Sequence, residues 1–176
     1  MLKLASNLYD LPIVSLRTGA RIGTAQKPIL NPNNLKIEGW YALSIYEKGV
    51  KVLPSAEVRE ITRLGIAVND HEAITDPSEL IRMKNVLDIN FELLGKSVVT
   101  QSRKHLGKVE DYASDLESFF VHRLYVKPRA ISILTKDQLT VDRQQIVEIT
   151  NKKIVIKDIE ATEKVLFTAP LQVPEG

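Results

Sequence analysis

Two stretches of this chain, EITRLGIAVND at residues 60–70 and EITNKKIVIKD at residues 148–158, repeat one order of acidic, β-branched and turn residues. Self-similarity within a chain constrains its fold more than any single motif, because it implies copies of one structural unit. Followed towards the N-terminus, the match extends. With Gly23 set on Gly107, Val14 falls on Val98, Thr18 on Ser102, Ile22 on Leu106 and Asn31 on Asp115. Leu35 then falls on Phe119, Ile37 on Val121 and Trp40 on Leu124, all without a gap. The EIT segments need a larger offset, which places a short extra stretch of the second copy near residues 126–141. The expectation is two equivalent domains, at residues 1–75 and 91–160, joined by a linker helix at 76–90 and followed by a tail at 161–176.

Each copy reads as β. IVSL and SVVT are short and β-branched, and LKIEGWYAL and SFFVHRLYV suit a pleated, half-buried surface. Turn residues in RTG, NPNN, ASD and TNKK punctuate them. Residues 147–156 have the spacing of a hairpin. Many short strands in a small unit predict a mainly all-β fold of two small barrels, since closure removes exposed edges. Gly23 and Gly107 sit inside strand patterns, where glycine marks a bulge or a close backbone approach, and Pro28 must lie at an edge or bulge. Between the copies, Asp76 can cap a helix, Pro77 suits its first position, and Leu80, Met83 and Leu87 share one face. That pattern predicts a single helix of about three turns. The predicted core comprises Val14, Ile37, Val58, Ile61 and Ile66 with Val98, Val109, Val121, Ile146, Ile149 and Ile154. Beyond Pro170 little regular structure is expected.

The second copy resembles the PRC-barrel family, which takes its name from the photosynthetic reaction-centre H subunit and includes the C-terminal domain of the ribosome maturation factor RimM. The resemblance rests on Leu94-Gly95 with Val98, on Leu106-Gly107-Lys108-Val109 with Asp111, on the apolar strand to Val126, and on residues 146–158. The first copy joins it through Arg21-Ile22-Gly23 and EITRLGIAVND. It departs at AQKPIL, where the second copy has VEDYAS. The resemblance implies a tandem of two PRC-type barrels acting as a non-catalytic adaptor for protein partners. RimM pairs one such barrel with a different N-terminal barrel, whereas this chain reads as two PRC-type barrels, so the ribosome-maturation role is not carried over and an RNA- or ribosome-associated accessory factor is kept as the alternative.

The residues themselves offer little catalytic chemistry. Without cysteine there is no disulfide, thiolate metal site or cysteine nucleophile, which fits a reducing, cytoplasmic setting. No apolar run approaches the ~20 residues that span a bilayer, so membrane insertion is not expected. His71, His105 and His122 stand at no metal-ligand spacing, and no GxSxG, Walker-type or GxGxxG motif occurs. Neither an enzyme activity, a metal nor a cofactor is therefore expected, and a small enzyme has no positive support. Because the formal net charge is only +2, contact with an anion must come from a local patch. Arg17 and Arg21 in LRTGARIG, and Arg103, Lys104, His105 and Lys108 in SRKHLGK, occupy the same turn of the two copies. These six residues are the candidate contact for an acidic partner, with Arg123, Lys127 and Arg129 on the following strand.

Overall fold

The computed structural model describes residues 1–128 and 138–158. The expectations for the tail at 161–176, and for Arg129, lie outside them. The fold is mainly β and consists of two sheets. In the first half the strands are β2 (Leu11–Ser15), β3 (Arg21–Leu30), β4 (Ile37–Ser44), β5 (Val50–Pro54), β6 (Val58–Ile61) and β7 (Ile66–Val68). They pair in the order β5-β4-β3-β2-β7-β6. In the second half they are β8 (Ser97–Thr100), β9 (His105–Asp115), β10 (Val121–Pro128), β11 (Leu139–Asp142), β12 (Ile146–Ile149) and β13 (Lys153–Ile156). Their order, β11-β10-β9-β8-β13-β12, is the same one. Even the single parallel pair of each sheet recurs, as β2 with β7 and as β8 with β13. The extra residues of the second copy fall between β10 and β11.

Strand register corrects the ungapped match by one residue. Ile13 pairs with Gly23 and Ile66, while Val98 pairs with Gly107 and Ile154. Ile13, not Val14, is therefore the partner of Val98, and the turn after β2 is one residue longer than the turn after β8. Since side chains alternate across a strand, one step reverses the face. Ile13 is accordingly buried and Val14 is only half-buried. Ile37, Ile66, Val98, Val109, Val121 and Ile154 are buried as expected. Val58, Ile61, Ile146 and Ile149 are partly buried against the core. That core is one cluster drawing on both halves.

Equivalent residues meet where the halves join. Lys36 and Phe120 form an antiparallel bridge. The Ile37 N–H donates to the Phe119 carbonyl at 2.8 Å, and the Val121 N–H donates to that of Leu35 at 3.0 Å. Reciprocal bonds between matching positions define a local two-fold relation. Leu35 (φ 52°) and Phe119 (φ 61°) both take the left-handed conformation that turns these carbonyls towards the other half.

One strand breaks the symmetry. β1 (Leu2–Leu4) pairs with residues 113–115 of β9, and the Leu116 N–H donates to the Met1 carbonyl at 3.4 Å. The corresponding edge in the first half carries Pro28 and Pro32 where the second has Tyr112 and Leu116. Proline has no N–H to offer an added strand, so that edge cannot form the same ladder. Pro28 lies past a bulge between Ala25 and Lys27 and past the end of the β2 pairing, the edge position its chemistry requires.

The segment between the halves is not one helix of three turns. Asp76 does cap it, its Oδ1 accepting from the Ser78 N–H at 3.1 Å. At Leu80, however, the backbone leaves the helical region (φ −90°, ψ 65°). Two 3-10 turns, Pro77–Glu79 and Ile81–Met83, precede a short α1 (Lys84–Ile89). No residue of these three elements is buried. Helices in proteins are held chiefly by a packed apolar face, and here that face, with Leu80, Met83, Val86 and Leu87, is only half-buried and does not propagate a longer one.

Candidate interaction surface

The repeated eleven residues are a hairpin with a latch. Thr62 and Thr150 each close the turn between two strands. The Thr62 N–H donates to the Gly65 carbonyl, and the Thr150 N–H to the Lys153 carbonyl, both at 2.9 Å. Their hydroxyls accept from Leu64 at 3.0 Å and from Lys153 at 3.0 Å. The terminal aspartates then reach the turn after β2 or β8. Asp70 accepts from the Ser15 hydroxyl at 3.1 Å and pairs with Arg17. Asp158 accepts from the Ser102 hydroxyl at 2.7 Å and its N–H at 3.0 Å.

Burial pushes the Asp70 carboxyl up, but the His71 backbone N–H, Ser15, the His71 ring and Arg17 together hold it below the ordinary 3.8. The Ser102 hydroxyl and N–H hold Asp158 below it as well. A carboxylate depressed in the folded state stabilises it above the unfolded pKa, and that contribution is lost as pH falls through the folded pKa. Stability should therefore be insensitive to these groups near neutrality and decline below about pH 4. Asp158→Asn should flatten part of that decline. Urea midpoints that stay level from neutrality down to about pH 2.5 would contradict the latch.

Two features around Asp70 resemble catalytic machinery without its connectivity. Ser15 and His71 (Nδ1 at 3.4 Å) both attach to Asp70 Oδ1. A nucleophilic triad instead needs the serine bonded to the histidine. Among the described residues, no three His, Asp or Glu side chains are placed to hold a metal ion. No helix there is long and apolar enough to cross a membrane.

The two basic turns are not brought together. From the Lys36–Phe120 bridge, β4 and β10 run in opposite directions. Gly23 lies beside the far end of β4 and Gly107 beside the far end of β10. The turns with Arg17 and Arg103 thus leave towards opposite ends of the molecule. Arg17 is engaged by Asp70, and Arg21 donates to Thr24 Oγ1 at 2.6 Å and to the Gly23 carbonyl at 3.2 Å.

In the second half the structure instead assembles a row across four strands. Lys153 of β13 pairs with Ser97 of β8, Ser97 with Lys108 of β9, and Lys108 with Lys127 of β10. Laterally paired residues share a face, so three ammonium groups and a hydroxyl stand side by side. All three lysines are exposed. A bulge at Leu106 adds His105 to the same face, since Ser97 pairs with Lys108 and Val99 with His105. A cleft of about 460 Å³ is lined by Ser97, His105, Gly107, Lys108, Lys127 and Pro128. Glu110 is the acidic neighbour, with Oε1 3.6 Å from Lys127 Nζ. Arg103 and Lys104 are exposed in the turn further along. Matching positions in the first half are Pro12, Thr24 and Leu43, so the cationic character belongs to one copy only.

Sequence reasoning included His105 and Lys108 in the contact and missed Ser97 and Lys153. The signal for Lys153 was present: EITRLG in the first copy is EITNKK in the second, which puts Lys153 where the first copy has Gly65. No protein-family model matches the chain, and no curated protein matches it.

Proposed function

We propose that the chain is a non-catalytic adaptor built from two PRC-type modules, and that it holds an acidic protein partner on the face formed by Lys153, Ser97, Lys108 and Lys127. The observation that carries this reading is the lysine row itself. Like charges placed directly opposite one another destabilise a sheet. The Lys108–Lys127 pair thus costs stability, and an anionic partner recovers it. The identical strand order of the halves supports a tandem of related modules, and the loss of lysine from the first-half row supports their specialisation.

Nucleic acid is the second reading, and the observations favour it less. Duplex DNA presents one charge per ~1.7 Å, which calls for a broader positive field than a chain of net charge +2 supplies. The test is retention on immobilised polyglutamate and on immobilised polyuridylate as salt rises. Lys108→Ser, Lys127→Ser and Lys153→Ser together should leave the unfolding midpoint no lower, since they remove the Lys108–Lys127 repulsion, and release the protein from polyglutamate at markedly lower salt. Unchanged elution of the triple variant would overturn the assignment, and stronger retention on polyuridylate would select the nucleic-acid reading.

A further inference from the structure

Resting on that reading, we infer that the occupant of the lysine row is an α-helix with carboxylates on one face, lying across the strands. The row fixes a spacing. Adjacent strands lie ~4.8 Å apart, so Lys153, Ser97, Lys108 and Lys127 mark four positions, three steps apart, over about 14 Å. An α-helix advances ~5.4 Å per turn and presents residues i, i+4, i+7 and i+11 on one side, covering about 16 Å. The mismatch of about 2 Å over the whole row falls within the reach of flexible lysine stems. An extended peptide fits worse. Its same-side residues are ~6.7 Å apart, so four of them span about 20 Å and outrun the row. A nucleic-acid duplex has the opposite defect, because it packs several charges into each step.

The order of groups adds a pattern. Cation, hydroxyl, cation, cation calls for carboxylates at three of the four positions and a neutral hydrogen-bonding side chain opposite Ser97. Glu110 shares Lys127 with solvent exposure on both sides, the pair being 73% and 46% exposed. An exposed pair of this kind is worth little and exchanges readily for an incoming carboxylate. The cleft lined by Lys108 and Lys127 also carries His105, beside the middle of the row.

The test uses the whole chain and three fluorescent probes at low salt. One is a helical peptide with Glu, Gln, Glu and Glu at i, i+4, i+7 and i+11. Another has the same composition and helicity, with its carboxylates distributed around the helix. The last is a single-stranded oligouridylate. The one-faced peptide should bind at least about tenfold more tightly than the distributed one. The triple lysine variant should abolish that preference, while Lys48→Ser with Lys84→Ser should retain it. Equal affinity for the two peptides, with binding still lost in the triple variant, would overturn the helical occupant and leave the acidic-partner site standing. Indifference of all probes to the triple variant would overturn both, and tighter oligouridylate binding would replace the helix with a nucleic-acid strand.

Discussion

Trp40→Ala is expected to remove about 3–5 kcal/mol of unfolding free energy, against the ~5–15 kcal/mol that holds a typical domain. Trp40 is fully buried and is the largest side chain in the core. Its indole Nε1 donates to the Leu8 carbonyl at 3.1 Å. Its ring meets Phe119 edge-on, with centroids 6.0 Å apart and planes at 77°. It thus ties the segment before β2 and the tip of the second half to the first sheet. Alanine would leave a cavity where these three parts meet. Trp40→Phe separates the contributions: most of the packing remains, and the Leu8 carbonyl loses its donor, at a cost of about 1–3 kcal/mol. Denaturant unfolding measures both. Amide protection in β9 and β10 should fall along with that in β3 and β4. A loss below about 1 kcal/mol for Trp40→Ala, or protection lost in the first half alone, would show that this residue does not join the halves.

Gly107→Ala should have the next largest effect, about 3 kcal/mol from backbone strain and overpacking together. A Cβ at Gly107 would stand 2.0 Å from the Lys127 carbonyl oxygen and 2.7 Å from its carbon, and φ is +151°. Backbone atoms cannot rotate away, so β9 and β10 would have to separate. The Lys108–Lys127 pair is the next pair along the same ladder. Retention on polyglutamate should therefore weaken with stability. Gly19→Ala provides the comparison, with φ +73° and nothing within 4 Å of the added carbon. It should cost only the conformational part, about 1–2 kcal/mol. Equal losses at the two glycines would remove the close approach as the cause.

The mainly β character, the order of the turns, the glycines at close approaches and the edge position of Pro28 were legible in the sequence. Each depends on local chemistry: β-branched residues fit a pleat, threonine closes its own turn, and proline lacks a donor. The eleven-residue repeat likewise announced a shared local structure, and the bonds of Thr62, Thr150, Asp70 and Asp158 account for why it is written twice. What the tertiary structure decided are the relations between distant residues. Local periodicity puts His105 and Lys108 on opposite faces of a strand, and only the bulge at Leu106 brings them to one face. Nothing local joins Lys153 to Lys127, which meet through two intervening strands. The basic turns that look alike in sequence point apart because a two-fold bridge at Lys36 and Phe120 sends their strands in opposite directions. Spacing along a chain encodes the face of a single element, whereas lateral neighbours in a sheet are set by the register of separate strands, a property of the folded whole.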